Sequence, residues 1–183
     1  MVNRLAPKRA HASAPGRRPR QRGTSAALTH VASDGSVHMV DVGAKAVTAR
    51  EAIASAHIAV NATARRLVRQ GEIKKGNPLE VARVAGILAA KRTSEIIPLC
   101  HPLPISHVGI DIRPVKDGYR LTATVRTTAQ TGVEMEALTA VSAAALTVYD
   151  MLKAVDREMV IGAICLQEKS GGRRGHYRRG ARV

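Results

Sequence analysis

The stretch VEMEALTAVSAAALTVYDMLKAVD, residues 133–156, constrains the fold more than any other part of the chain. Ala137, Leu138, Val141, Ala144, Ala145, Val148, Leu152 and Val155 recur at spacings of 3, 4 and 7, which places them along one face of a long helix. A face that wide has to be buried against another layer. The chain has no Phe, no Trp and only 3 Tyr, so both layers must be aliphatic and rich in Ala. No uninterrupted apolar run approaches the roughly 18 residues of a membrane span, and no membrane partner is expected.

The other elements follow from local signals. In LTHVASDGSVHMVDV, Asp34-Gly35 is a turn signal between two alternating pieces, which suggests a short hairpin. Thr48 and Glu51 have capping-box spacing, but Ala52, Ala54, Ala56, Ile58 and Val60 alternate, and the alternation predicts a strand over 50–60. Asn61 caps a short helix stopped by Gly71. Asn77, Pro78 and Glu80 start a second helix running to about Thr93, with an apolar stripe of Leu79, Ala82, Ala85, Leu88 and Ala89. SHVGIDIRP and YRLTATVRT form an antiparallel hairpin around Lys-Asp-Gly, and VIGAICLQ is a last strand after the long helix. The order strand, helices, strand, strand, helix, strand is the split βαβ, ferredoxin-like α+β pattern, an antiparallel sheet with helices on one face. Apolar strand positions on both faces predict self-association.

Charge is confined to the ends. Of 29 Lys and Arg, seven lie in residues 1–24 and six in 169–183, with no acid in either segment. The remaining 16 bases face all 14 acids, so the body is almost neutral. The expected organisation is a disordered basic tail over 1–27, one catalytic domain over 28–170 and a basic Gly/Arg-rich tail over 171–183. The first tail has the Arg-rich, acid-free character of a transit peptide, but Pro7, Pro15, Gly16 and Pro19 interrupt any amphipathic helix. Specific nucleic-acid recognition is not expected, since the chain lacks aromatic platforms and shows no helix-turn-helix or zinc-finger pattern. Cys100 and Cys165 are too few for a disulfide framework and lack zinc-ligand spacing, which points to a reducing, cytoplasmic compartment.

Several groups suit acid–base chemistry on a phosphorylated substrate. Asp150 and Lys153 neighbour each other on the polar side of the long helix, where spacing alone reads as a surface ion pair. Glu134, Met135 and Glu136 open that helix; the two acids suit its dipole, and they also suit a guanine-like edge or a cation. Lys74-Lys75-Gly76 before the helix at Pro78, and Lys169-Ser170-Gly171-Gly172, are either solvated loops or anion sites. Pro98, Pro102 and Pro104 bracket Leu99, Cys100 and His101 and stiffen the backbone there. Adjacent side chains point apart, which opposes a Cys-His nucleophile; Cys100 reads as a small buried cysteine, and His101 as a base, a phosphate donor or a core residue.

Longer strings carry more than spacing does. LTHV…MVDVGAK…TAREA, KKGNPLEVARVAGILAAKRTSEIIPLCHPLP, TGVEMEALTAVSAAALTVYDMLKAVD and KSGG closely resemble the molybdenum-cofactor biosynthesis protein C family over about residues 28–175. That resemblance implies cyclic pyranopterin monophosphate synthase activity. The substrate would be 3′,8-cyclo-7,8-dihydro-GTP, and the products cyclic pyranopterin monophosphate and pyrophosphate. It also implies a ferredoxin-like fold and a hexamer, a trimer of dimers with active sites between subunits. By matching motif it assigns Asp150 and Lys153 as the central acid–base pair and Lys75 as a catalytic, phosphate-contacting lysine. It places Leu99, Cys100, His101, Glu134, Met135 and Glu136 at the substrate, with Lys169, Arg50 and Asp41 as weaker carry-overs. The chain departs from the family at Asn77, where KGD is usual, and at Arg173-Arg174, where a lysine and a serine are usual.

No metal-ligand cluster shows in the sequence; Mg2+ would accompany the substrate phosphates. Crowded lysines in an occluded pocket are expected to lower the pKa of Lys153. Two rival readings are a basic RNA- or surface-binding module built on the tails, and an inactive assembly paralogue. Deleting residues 1–24 separates the first rival: the synthase keeps its turnover, and the tail-dependent binder loses its function.

Overall fold

The computed structural model describes residues 34–173 and 175–180. The N-terminal tail and the first arm of the expected hairpin lie outside them. Asp34 does form a turn, its Oδ1 accepting from the Ser36 amide at 2.9 Å. Val37 makes a single β-bridge and residues 38–47 then run without a regular strand.

Thr48–Ala59 is β1, as the alternation predicts. Ala52, Ala54, Ala56 and Ile58 are fully buried on one face, and that two-residue period outweighs the capping-box signal of Thr48 and Glu51. Asn61 Oδ1 accepts from the Ala64 amide to start α1, Ala62–Gln70, which Gly71 closes in the left-handed conformation at φ 71°. Asn77 Oδ1 likewise accepts from the amides of Leu79 and Glu80 to start α2, Pro78–Lys91, and one short turn, α3, follows at Thr93–Ile96. The hairpin β2, Ile105–Val115, and β3, Gly118–Ala129, leads into α4, Glu134–Leu152, and then β4, Val160–Ser170.

All strand pairs are antiparallel, in the order β2-β3-β1-β4 with a two-residue β5, Tyr177–Arg178, outside β4. The first four strands have the ferredoxin-like arrangement, with α2 and α4 on one face. Residues 177–178 were expected to be tail. They instead pair with Glu168 and Lys169, because Gly171, Gly172 and Gly175, all at positive φ, turn the chain back along the β4 edge.

The core is as aliphatic as the composition demands. Ala137, Ala140, Val141, Ala144, Ala145, Val148 and Leu152 of α4 are buried over the Ala-lined face of β1. The α2 stripe differs from the expected one. Ala82, Gly86 and Ala90 face inward, whereas Leu88 is 48 % exposed together with Val81 and Val84. The smallest residues are selected because the helices cross closely: a Cβ on Gly86 would lie 3.1 Å from the carbonyl oxygen of Ala140 and 3.1 Å from Ile110. The outer face of the sheet is mixed, carrying Ser55, His57, Arg120, Thr122, Cys165 and Gln167 around a shallow 420 Å³ hollow. Exposed apolar surface lies on β4, in Val160 and Ile164, and also on the helices, in Val81, Val84 and Leu88 of α2 and Leu146 of α4.

By length and composition α4 would pass as a membrane span, at mean hydropathy 1.2; half of it is buried inside the fold, as a core helix. Replacing Gly86 with Leu should overpack the α2–α4 crossing and cost about 1–3 kcal/mol in urea unfolding. A stability equal to wild type would contradict this close crossing.

Candidate active site

The two ends of α4 carry two separate groups of polar side chains. At its C-terminal end, Lys153 Nζ lies 2.7 Å from Asp150 Oδ1, and Lys75 Nζ lies 3.5 Å from Asp150 Oδ2. Lys75 also donates to the Asp150 carbonyl oxygen at 3.2 Å. Lys75 comes from the turn before α2, closed by Gly76 at φ 93° and by the Gly76 amide donating to Ile73 O. Contact between Lys75 and Asp150 joins the turn before α2 to the last turn of α4, 75 residues away in sequence.

Each of the three side chains is about half exposed, so their pairing contributes little to stability. The geometry is held instead by the neighbouring Leu152, fully buried in the core, whose burial contributes about 1.5–3 kcal/mol. Hydrogen bonding and attraction from Lys153, then attraction from Lys75, hold the Asp150 carboxyl below its ordinary value. The hydrogen bond that Lys153 donates to Asp150, and then the Asp150 charge, raise Lys153. This reverses the expected lowering: one carboxylate shared by two ammonium groups stabilises the charged form more than their mutual repulsion and the weak burial oppose it.

At the N-terminal end, Lys169 Nζ of β4 lies 2.6 Å from Glu134 Oε1, and both side chains are largely buried. Arg50 of β1 donates to Gln130 O at 3.1 Å, and Gln130 Nε2 donates to Gly43 O at 3.0 Å. That chain of contacts ties the Asp41 loop to the group; Asp41 itself is exposed, its Oδ1 accepting from the Gly43 amide at 2.8 Å. The Gly171-Gly172 turn lies against Arg50, so closely that a Cβ on Gly172 would lie 2.0 Å from its Nη1. The glycines of KSGG therefore let the backbone reach the guanidinium. Arg50 Nε is buried without a partner.

His101 and the prolines at 102 and 104 line a 380 Å³ hollow with Gln130 and Thr131, adjoining the start of α4. The buried Thr127 hydroxyl donates to Pro104 O at 2.7 Å and pins this rigid loop to β3. Leu99 and Cys100 are half-buried rather than core residues. Burial, and then the charge of Glu136, push the Cys100 thiol up, which disfavours a thiolate nucleophile. Met135 is 37 % exposed and Glu136 is 4 % exposed. Burial, with a contribution from the Glu134 charge, pushes the Glu136 carboxyl up to about 7.

The structure thus gathers Arg50, His101, Glu134 and Lys169 around one end of α4, and Lys75, Asp150 and Lys153 at the other. Sequence reasoning missed Gln130, the side chain that links the Asp41 loop to Arg50; its place just before TGVEME was the only signal. Among the described residues no group of three or more His, Cys, Asp or Glu is placed to hold a metal ion.

The sequence pattern of the MoaC family matches residues 39–172. The chain belongs to that family. It is 54 % identical over 162 residues to a cyclic pyranopterin monophosphate synthase of Rhodopirellula baltica, covering 82 % of this chain and 93 % of that protein. It is 56 % identical over 153 residues to the cyclic pyranopterin monophosphate synthase 3 of Mycobacterium tuberculosis, covering 83 % and 86 %. A relative from Methylobacterium with the same name as the first is 56 % identical over 154 residues, covering 83 % and 96 %. The matched span contains both ends of α4 and every sequence-predicted site residue.

Asp150→Asn should lower the Lys153 pKa toward that of an ordinary lysine, read by NMR titration of its side chain. An unchanged titration would remove Asp150 as the cause. The sign for stability follows from the lowered Asp150 carboxyl: its small contribution is present above the ordinary carboxylate range and is lost as pH falls through the lowered value.

Proposed function

We infer that this chain is a cyclic pyranopterin monophosphate synthase, a lyase of molybdenum cofactor biosynthesis that turns 3′,8-cyclo-7,8-dihydro-GTP into cyclic pyranopterin monophosphate and pyrophosphate. Family membership and the names of relatives above 50 % identity support the activity. The observation that carries the site assignment is the separation of the two groups along α4. Asp150 follows Glu134 by sixteen positions on one helix, about 24 Å at 1.5 Å per residue. A proton-transferring group has to lie within about 3 Å of the atom it serves. The two ends of one copy therefore cannot act on the same reacting centre.

A second copy resolves this, with the Lys75–Asp150–Lys153 end of one chain facing the His101–Glu134–Lys169 end of another. A two-fold axis would form two such sites at once. The exposed Val81, Val84, Leu88 and Leu146 supply apolar surface for further association, in keeping with a hexamer built as a trimer of dimers. In this assembly Lys75, Lys169, Arg50 and His101 surround the triphosphate, and the stiff Leu99–Pro104 loop holds the base-derived ring in place. The Asp41 loop borders the same pocket through Gln130. Mg2+ would be carried in on the phosphate oxygens.

Lys153, charged and held by Asp150, enters as the proton donor and takes the proton back as the purine-derived ring opens and the pyrazine ring closes. A sugar hydroxyl then attacks the α-phosphorus; the bond from phosphorus to the bridging oxygen breaks, the hydroxyl proton passes to the departing pyrophosphate, and that anion leaves stabilised by the cationic side chains. Both cysteines are free thiols, which supports a cytoplasmic setting.

Lys153→Ala should fold normally and release no pyrophosphate. His101→Ala should lose most of its turnover. Co-assembled in equal amounts, the two inactive chains should recover activity at about a quarter of the sites, since random pairing restores two intact halves that often. Near-full turnover by Lys153→Ala would remove its assignment, and mixed oligomers no more active than either variant would sink the shared site.

A further inference from the structure

Residues 41–46 form a largely exposed loop that belongs to no strand or helix. Its internal bonds only turn it on itself: the Gly43 amide donates to Asp41 Oδ1 at 2.8 Å, and the Lys45 amide to Val42 O at 2.9 Å. Among the described residues, one hydrogen bond carries this loop to the rest of the fold, from Gln130 Nε2 to Gly43 O at 3.0 Å. Yet Val42 and the adjoining Val47 line the 380 Å³ hollow that His101 and Pro102–Pro104 also line, and Gln130 lines it too. The Gln130 backbone is fixed independently of its side chain. It directly follows the last residue of β3, and its carbonyl accepts from Arg50 Nη2 at 3.1 Å. The side-chain amide thus extends from a firm anchor to a loop with no other tie.

We propose that Gln130 is a positioning residue: its side-chain amide sets the 41–46 loop in advance as one wall of the hollow, so that Val42 and Val47 already stand in place when the base-derived ring of the substrate enters. The proposal rests on the synthase reading above and deepens it. A free loop would have to be ordered by the incoming substrate, at a cost in affinity, whereas a tethered loop has lost that freedom beforehand. Gln130 takes no part in proton transfer, since a carboxamide only donates and accepts hydrogen bonds. It acts through Gly43. Losing the tie should therefore weaken binding and leave the bound complex as reactive as before.

Gln130→Met keeps the length of the side chain, adds no charge and removes the donor. In hydrogen–deuterium exchange of the full chain without substrate, the 41–46 amides should exchange about fivefold faster in Q130M, the factor expected of one neutral hydrogen bond. KM for 3′,8-cyclo-7,8-dihydro-GTP should rise by about the same factor, with kcat unchanged. Q130A, which removes the arm altogether, should match Q130M in both readouts and keeps the test decisive if the methionine folds poorly. Q130K, which restores a donor, should recover slow loop exchange and low KM together. Wild-type loop exchange in Q130M and Q130A, or a fall in kcat with KM unmoved, overturns the proposal. So does a Q130K variant whose KM recovers while its loop still exchanges fast, because charge and not tethering would then be at work. Loop exchange needs no turnover: faster exchange in Q130M, alongside a wild-type chain that does not turn over the substrate, overturns the synthase reading and with it the ring assigned to the hollow.

Discussion

The contact between the small-residue face of α4 and the alanines of β1 positions every group discussed above. Ala52, Ala54 and Ala56 let the helix sit close to the central strand, and Ala137, Ala140, Ala144 and Ala145 meet them without a large side chain between. Close packing of this kind transmits small changes in volume instead of absorbing them. The same logic reaches α2, where Gly86 allows a second helix to approach α4. A core without Phe or Trp gains less burial per residue, and it compensates by bringing its layers nearer together.

That closeness has an electrostatic consequence. Since α4 is clamped along its length, its two ends present charge to solvent in fixed positions. One end has a carboxylate between two ammonium groups; the other has a carboxylate paired with a lysine beside a carboxyl whose Oε2 is buried with no hydrogen-bond partner among the described residues. The difference between Glu134 and Glu136 follows from two residues of rotation around the helix, which carry one side chain to Lys169 and the other into the interior.

Features encoded within a few residues were legible in the sequence. Asn61 and Asn77 announced their helices through short polar side chains that accept from amides two or three residues on, and the alternation around Ala54 identified the central strand. Features that depend on approach between distant segments were not. Leu88 fits an apolar stripe by spacing, yet the crossing at Gly86 turns a different stripe inward. Nothing around Lys75 indicates that it meets Asp150, and nothing around Glu136 distinguishes its environment from that of Glu134. The β5 pairing was hidden because its residues are charged and polar, and three glycines rather than a hydrophobic pattern bring them to the β4 edge. The proposed site residues were named from long matching strings, which carry information that spacing lacks.

The length of α4 also makes it a measuring rod. Adding one residue between Glu134 and Asp150 would advance the far end by about 1.5 Å and swing it through about 100°, turning the acid and its lysine away from the loop that bears Lys75. A tail or surface turn could lengthen or shorten without parting these groups, whereas the count of residues within this one helix could not.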